Sequence, residues 1–414
     1  MVSRSYMSQN QYSLTIGELT INHYVGGKIS LIAIHGQPLE QFLEPLFDQI
    51  RIQVDFRHPE RIVVQLPDEI RKLLVSTCDA VLQLKKDEKH CLAAYLATGC
   101  FEALTSFSNR FMTKCQYVLA CSYWLEILSH VLDWESRHNM KVHKGHPYFF
   151  LAFAYLLSGD LDTGFVYAYN AIKDDEVLGK LCPHLNYPQE APIYLTALML
   201  DDERNAMYAL VKDLRQELDR HIALYRSEFL RQFSIQDFDT KFLRNSQPTL
   251  ENLRYLFVFC FWSLVVLRRK TRPEILDNDF SKLRNLNLIF NLCLLVDKLL
   301  EVNPRVAQDS MGSNVMKVCT DHGWLSQSEL NQLESKYQID VSKGDPDRVL
   351  KTLSPMNVTV GSRSVPKEAI HYLIAWNLRN YGGHNIIQQN SLVDNFDEIF
   401  HILMRCLILS VDIL

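Results

Sequence analysis

The ten cysteines of this sequence include no Cys-x-x-Cys pair, and the chain has no apolar N-terminal core, no long apolar run and no excess of basic residues. Each lack excludes something. Without paired cysteine motifs a structural zinc site is not expected, and no metal or other cofactor is assigned. Cys78, Cys91, Cys100, Cys115, Cys121, Cys260, Cys293 and Cys406 fall mostly in apolar helical stretches. They read as buried thiols of a cytoplasmic protein. The start, Met1-Val2-Ser3-Arg4-Ser5-Tyr6, carries no signal-peptide core. The most apolar run, residues 255–267, is 13 residues long, contains Ser263, and lies between Arg254 and Arg268-Arg269. That length suits a buried helix and not a membrane span. With a net charge of −5 there is no global basic field. Any surface for a nucleic acid must be local, or be concentrated by dimerisation.

What is present is a 414-residue chain with 47% apolar residues, long enough for two or three domains. The pattern predicts a mainly α fold in three regions. Residues 1–66 form a small β-rich region. Within it, residues 1–12 are polar and expected to be loose. Leu14, Ile16, Leu19 and Ile21, then residues 29–34, then Ile50, Ile52, Val54 and Phe56 alternate or cluster as strands between glycines.

Residues 67–245 read as helical hairpins. Tyr95, Gly99 and Glu102 repeat the placing of Tyr155, Gly159 and Asp162, which predicts two helix–glycine turn–helix units 60 residues apart. Ala152, Tyr155, Gly159, Gly164 and Ala171 have spacings similar to a tetratricopeptide hairpin, in a degenerate array suited to sensing or partner binding. Between the copies, His138, His143 and His146 alternate with Lys141 and Lys144. The interleaved ammonium groups oppose a cation, so this stretch is expected to be a solvated loop. Residues 234–250, polar and containing Pro248, read as a linker.

Residues 250–414 read as a second helical bundle. Helices are expected over 255–267, 283–302, near 305–321 and 326–337, and from Asp394 as N-cap through the apolar face of Ile399, Phe400, Leu403, Met404, Leu407 and Ile408. Most of that last face is expected to be core. Residues 340–365 contain Gly344, Pro346, Pro355 and Gly361 and read as a long loop next to the site.

The stretch that carries chemistry is Arg379-Asn380-Tyr381-Gly382-Gly383-His384. Before it, Ser364, Pro366 and Glu368 mark a helix start, and Ile370, Leu373, Ile374 and Leu378 recur at helical spacing with Trp376 beside them. Gly382-Gly383 predicts a break that turns His384 back toward Arg379. A guanidinium binds phosphate oxygens with two parallel hydrogen bonds. An imidazole moves protons near neutral pH. Together they suit attack of an RNA 2′-hydroxyl on its neighbouring phosphate. Two copies across a two-fold axis can divide the base and acid roles.

The stretch Arg379-Asn380, three residues, then His384 resembles the RNxxxH form of the HEPN motif, found in helical bundles of prokaryotic ribonucleases, toxins and phage-defence effectors. The resemblance covers at most about the last 160 residues, and its specific part is the hexapeptide. It implies a homodimer in which Arg379, Asn380 and His384 of each chain build a composite, metal-independent endoribonuclease site. It also implies an RNA substrate and a toxin-like or antiviral defence role, with a protein or nucleotide activator and no membrane partner. One branch of the family has a modified Tyr two residues after the His. Here Ile386 stands there, so that form of regulation is not expected. The competing reading is a non-enzymatic helical-repeat adaptor whose C-terminal bundle only dimerises.

Overall fold

The computed structural model describes residues 4–8, 11–24, 29–54, 62–182, 208–245, 247–270, 279–343, 345–384, 392 and 394–414. Over these residues the fold is mainly α, with fifteen helices and a small N-terminal sheet. The chain divides into two compact units, Met1–Tyr194 and Leu195–Leu414. That division differs from the three regions expected, because the β-rich part shares one core with the helices that follow it.

In the first unit five antiparallel strands lie in chain order: β1 (Arg4–Ser8), β2 (Gln11–Ile16), β3 (Leu19–Tyr24), β4 (Ile29–Ile34) and β5 (Gln37–Pro38). Residues 1–12 are therefore not simply loose, since β1 pairs along β2. The register aligns Leu14 with Ile21, and Ile21 with Ile32, so one buried row crosses three strands. Helix α1 (Leu39–Phe47) follows. A separate hairpin, β6 (Arg51–Val54) with β7 (Ile62–Gln65), leads into α2 (Asp68–Lys86), α3 (His90–Thr113), α4 (Tyr117–His138), α5 (Gly145–Ser158) and α6 (Leu161–Leu181).

The two glycines read alike from the sequence behave differently. Gly159 takes φ 95° and ends α5, and Asp160 then caps α6 by accepting a hydrogen bond from Thr163 N at 3.1 Å. That is the expected hairpin turn, reached through a positive φ that glycine adopts without strain. Gly99 instead lies inside α3, where no turn occurs. A Cβ there would sit 2.7 Å from Ile32 Cδ1, so the missing side chain lets the sheet close onto the helix.

The histidine-rich stretch is also not a solvated loop. Glu135 Oε1 accepts from Val142 N at 2.6 Å and from Lys144 Nζ at 2.5 Å, and both charged residues are nearly fully buried. Lys144 N donates to Asp174 at 2.6 Å, and His143 Nε2 lies 3.4 Å from Asp175. Lysine here is an internal partner for Glu135, because a charge that goes inside must be paired. His146 packs against Phe150, with ring centroids 4.9 Å apart, and burial pushes its pKa down to about 4 against the pull of Asp175.

A disulfide joins Cys91 and Cys182, residues 91 apart in sequence with Cα atoms 5.7 Å apart. This corrects the expectation that the cysteines are all thiols. The other eight are free, seven of them buried. The two sulfurs meet because α3 starts beside the end of α6, a juxtaposition that sequence spacing does not reveal.

The second unit begins, among described residues, with α7 (Tyr208–Phe229) and α8 (Ile235–Phe238), which runs into a π-helical segment, Asp239–Leu243. The expected polar linker is thus a packed corner. Ser234 and Asp237 form a reciprocal cap. Phe238 and Phe242 pack on Phe257 of α9 (Pro248–Lys270) with centroids 5.4 and 5.8 Å away. There follow α10 (Asp279–Val302), α11 (Met311–Asp321) and α12 (Gln327–Tyr337). Residues 340–365 are not one long loop, because they hold α13 (Pro346–Leu353) and the hairpin β8 (Thr359–Val360) with β9 (Arg363–Ser364). Helices α14 (Lys367–His384) and α15 (Phe396–Asp412) complete the unit. Asn395, not Asp394, occupies the N-cap position of α15. Its apolar face packs on α10, α14 and α7, so that face is core. Among the described residues no helix is long and apolar enough to cross a membrane.

Two outcomes follow for the first unit. Replacing Cys91 with Ser, or adding a dithiol reductant, is expected to lower its unfolding free energy by about 2–4 kcal/mol, read by urea unfolding with and without reductant. Acid should weaken it through His146. The folded pKa of His146 is depressed below the unfolded value, so the unfolded chain binds more protons between about pH 6.5 and 4. Stability is therefore lost as pH falls through that window, by roughly 3 kcal/mol for this group, and a His146→Gln chain should show a flatter pH profile of its thermal midpoint.

Candidate functional site around Arg379

Helix α14 carries the motif. It starts after Pro366, with Glu368 in the first turn, and its residues 369–375 are buried on every side. It packs on α10, α11, α13 and α15. Trp376 covers Gly312 of α11, where a Cβ would lie 2.4 Å from its ring. That contact makes Trp376 a packing residue, as its place in the amphipathic pattern suggests.

The helix does not break at Gly382-Gly383. It runs on to His384. A glycine inside a helix costs about 1 kcal/mol relative to alanine. Here it permits a close crossing, because a Cβ on Gly382 would stand 2.3 Å from Phe290 Cδ1 on α10. Tyr381 beside it is buried, with its ring 6.3 Å from that of Phe290. Positions 379 and 384 of an unbroken helix diverge by about 140° around its axis. The side chain of His384 lies outside the described residues, as does Ile386.

Arg379 is described. Its Nε donates to Asp297 Oδ2 at 3.1 Å. The Asp297 side chain is 5% exposed and that of Arg379 is 40% exposed, so a buried carboxylate on α10 holds a guanidinium that reaches the surface. Burial raises the Asp297 carboxyl above its ordinary pKa, and the charge and hydrogen bond of Arg379 pull it back. Cys293, one turn earlier on α10, is fully buried, and desolvation pushes its thiol up with Asp297 adding to the effect. Phe290, Cys293 and Asp297 thus form one face of α10 against the end of α14. They follow at spacings of three and four, as residues on one helix face do.

Asn380 faces a different element. Its Nδ2 donates to Ser342 O at 2.9 Å. One turn back, Asn377, fully buried, donates to Val341 O at 3.0 Å. The segment between α12 and α13 is therefore strapped to the motif helix by two side-chain amides. Its other side is equally tied: Glu334 Oε1 accepts from Val341 N at 2.9 Å, and Asp340 Oδ1 accepts from Ser342 N at 3.0 Å and Lys343 N at 3.1 Å. Aspartate bonding the backbone two and three residues on is a standard way to fix a turn.

Of the three expected site residues, the fold places Arg379 on a buried acid and Asn380 on a loop carbonyl. Sequence reasoning missed Asp297, Asn377 and residues 341–343. Asp297 left a faint signal, as an acid within the apolar run from Leu286 to Leu300. The loop left none, since its partners are backbone carbonyls.

Comparison of the chain with protein-family models, with curated proteins and with solved structures finds no match.

The close crossing at Gly382 makes a specific expectation. If glycine were only a weak helix residue there, Gly382→Ala would stabilise the chain. Because Phe290 occupies the space, Gly382→Ala is expected to destabilise it by about 1–3 kcal/mol in chemical unfolding, with Phe290→Ala recovering part of the loss in the double variant.

Proposed function

We propose that this chain is a metal-independent endoribonuclease of the HEPN type, acting as a homodimer, with Arg379, Asn380 and His384 as its site. The observation that supports this most is the setting of Arg379: a half-exposed arginine, anchored at Nε by a buried carboxylate, near the end of a helix packed inside a bundle. Anchoring at Nε restricts the side chain before substrate arrives, which lowers the ordering cost of binding a phosphate.

In the proposed reaction the RNA 2′-hydroxyl attacks the adjacent phosphorus and gives its proton to the His384 imidazole of one chain. Charge gathers on the phosphoryl oxygens, where Arg379 stabilises it. The 5′-oxygen leaves with a proton from the protonated His384 of the other chain, so a 2′,3′-cyclic phosphate and a 5′-hydroxyl result. Dividing the roles between two chains also answers the divergence of positions 379 and 384 around one helix. The family resemblance further suggests a toxin-like or defence role, with the helical hairpins as the part that senses a protein or nucleotide activator. The eight free thiols favour a reducing compartment such as the cytoplasm, while the Cys91–Cys182 disulfide favours an oxidising one.

A second reading is favoured by a specific observation. Asn380 is already satisfied by Ser342 O, and Arg379 by Asp297, as they would be in an adaptor whose bundle only dimerises.

The deciding experiment is cleavage of mixed cellular RNA in EDTA by the intact chain, His384→Ala and Arg379→Lys. Lysine is chosen because alanine would leave Asp297 as an unpaired buried acid. The intact chain is expected to cut and leave cyclic phosphate ends, and the His384 variant to lose about 10²- to 10⁴-fold in rate. Equal cutting by all three would remove this site from the reaction, and folded dimers that never cut RNA would favour the adaptor.

A further inference from the structure

The strap across α14 places one more cation at the site. Lys343 follows Ser342, whose carbonyl takes the Asn380 amide at 2.9 Å, and Arg379 precedes Asn380. The backbone around Lys343 is held from two sides, by Asn377 and Asn380 of α14 and by Glu334 of α12 and Asp340 of its own segment. The side chain is not held in this way. It is 80% exposed, and its ammonium pairs with the half-buried carboxylate of Asp340 at 2.9 Å, with the charge of Glu334 also acting on it. Pairs of this kind at the surface are weak and are screened by salt. A backbone tied by two side-chain amides, one buried (Asn377) and one half-exposed (Asn380), beneath a solvent-facing ammonium presents a point charge to a polyanion.

We infer that Lys343 is a substrate-binding residue, contacting a phosphate of single-stranded RNA next to the one at Arg379, and that Asn377 and Asn380 are the residues that position it. This rests on the ribonuclease reading and extends it. Arg379 and Asn380 are successive residues, about 100° apart around the helix, so of the two strap anchors it is Asn380 that adjoins the edge held by Asp297, while Asn377 lies farther round. A strand whose scissile phosphate lies at Arg379 carries a neighbouring phosphate toward that strap. Lysine suits such a contact, being a compact charge that needs no fixed orientation, whereas the reacting phosphate is met by the planar fork of Arg379. In this assignment Asn380 works through the loop and does not touch the reacting phosphate.

The test measures binding without cleavage. The full-length chain with His384→Ala is titrated with a fluorescent single-stranded RNA over a series of salt concentrations, alone and combined with Lys343→Ala or Lys343→Arg. Losing one phosphate contact to a single strand should lower the slope of log K against log salt by about 0.7 and weaken binding several-fold at low salt. The arginine variant should retain both. Lys343 is exposed, so circular dichroism and the thermal midpoint should be unchanged and any loss be one of binding. If the His384→Ala chain binds RNA with the same slope and affinity whether residue 343 is Lys or Ala, the role of Lys343 is overturned and the ribonuclease reading stands. If no salt-dependent RNA binding occurs in the parent chain, the ribonuclease reading itself fails and Lys343 with it.

Discussion

Helix α14 is buried on almost every side over its middle turns, and a helix in that position needs partners for most of the polar groups it carries. Backbone groups are met by the helix itself. In the middle turns Tyr372 meets Ser410 and His371 meets Lys367 O and Glu228; toward the end Asn377, Arg379 and Asn380 each find a partner on another element, Val341 O, Asp297 and Ser342 O. That requirement organises the second unit around the motif. It explains why the segment between α12 and α13 lies where it does, and why an acid stands in the otherwise apolar α10.

The same requirement gives the site its character. A guanidinium free in solvent would sample many rotamers, and one fully buried could not reach a phosphate. Arg379 lies between these limits, because Asp297 takes Nε at depth while the side chain continues to the surface. A pair of this kind contributes modestly to stability, since desolvating the acid offsets much of the attraction. The rise in the Asp297 pKa despite its partner records that balance. What the pair supplies is direction, which suits a residue that meets a substrate.

A parallel device holds the first unit together. Glu135 and Lys144 are both buried and bonded to each other, with Asp174 taking the Lys144 backbone amide. The loop after α4 is thereby joined to α6, and the disulfide joins the start of α3 to the residue after α6.

Much of this was legible in the sequence. Helical periodicity located α9 to α12, α14 and α15, though not the short α13, and it placed the turn at Gly159 and Trp376 in a packed face. Period-two alternation located the N-terminal sheet. These succeed because repeating apolar spacing is a local property that burial reads directly. What failed were single residues whose role depends on a distant neighbour. Gly99 and Gly382 look like breaks, yet each lies in a helix because Ile32 or Phe290 needs the space of a missing Cβ. Lys144 looks solvated, yet it is the partner of Glu135. Cys91 and Cys182 look like separate thiols 91 residues apart, yet they meet. The sequence by itself determined where most of the longer helices and strands form and which hexapeptide carries Arg379, Asn380 and His384. Only the tertiary structure decided that Arg379 answers to Asp297 and Asn380 to Ser342, because such pairings are set by which elements cross and not by spacing along the chain.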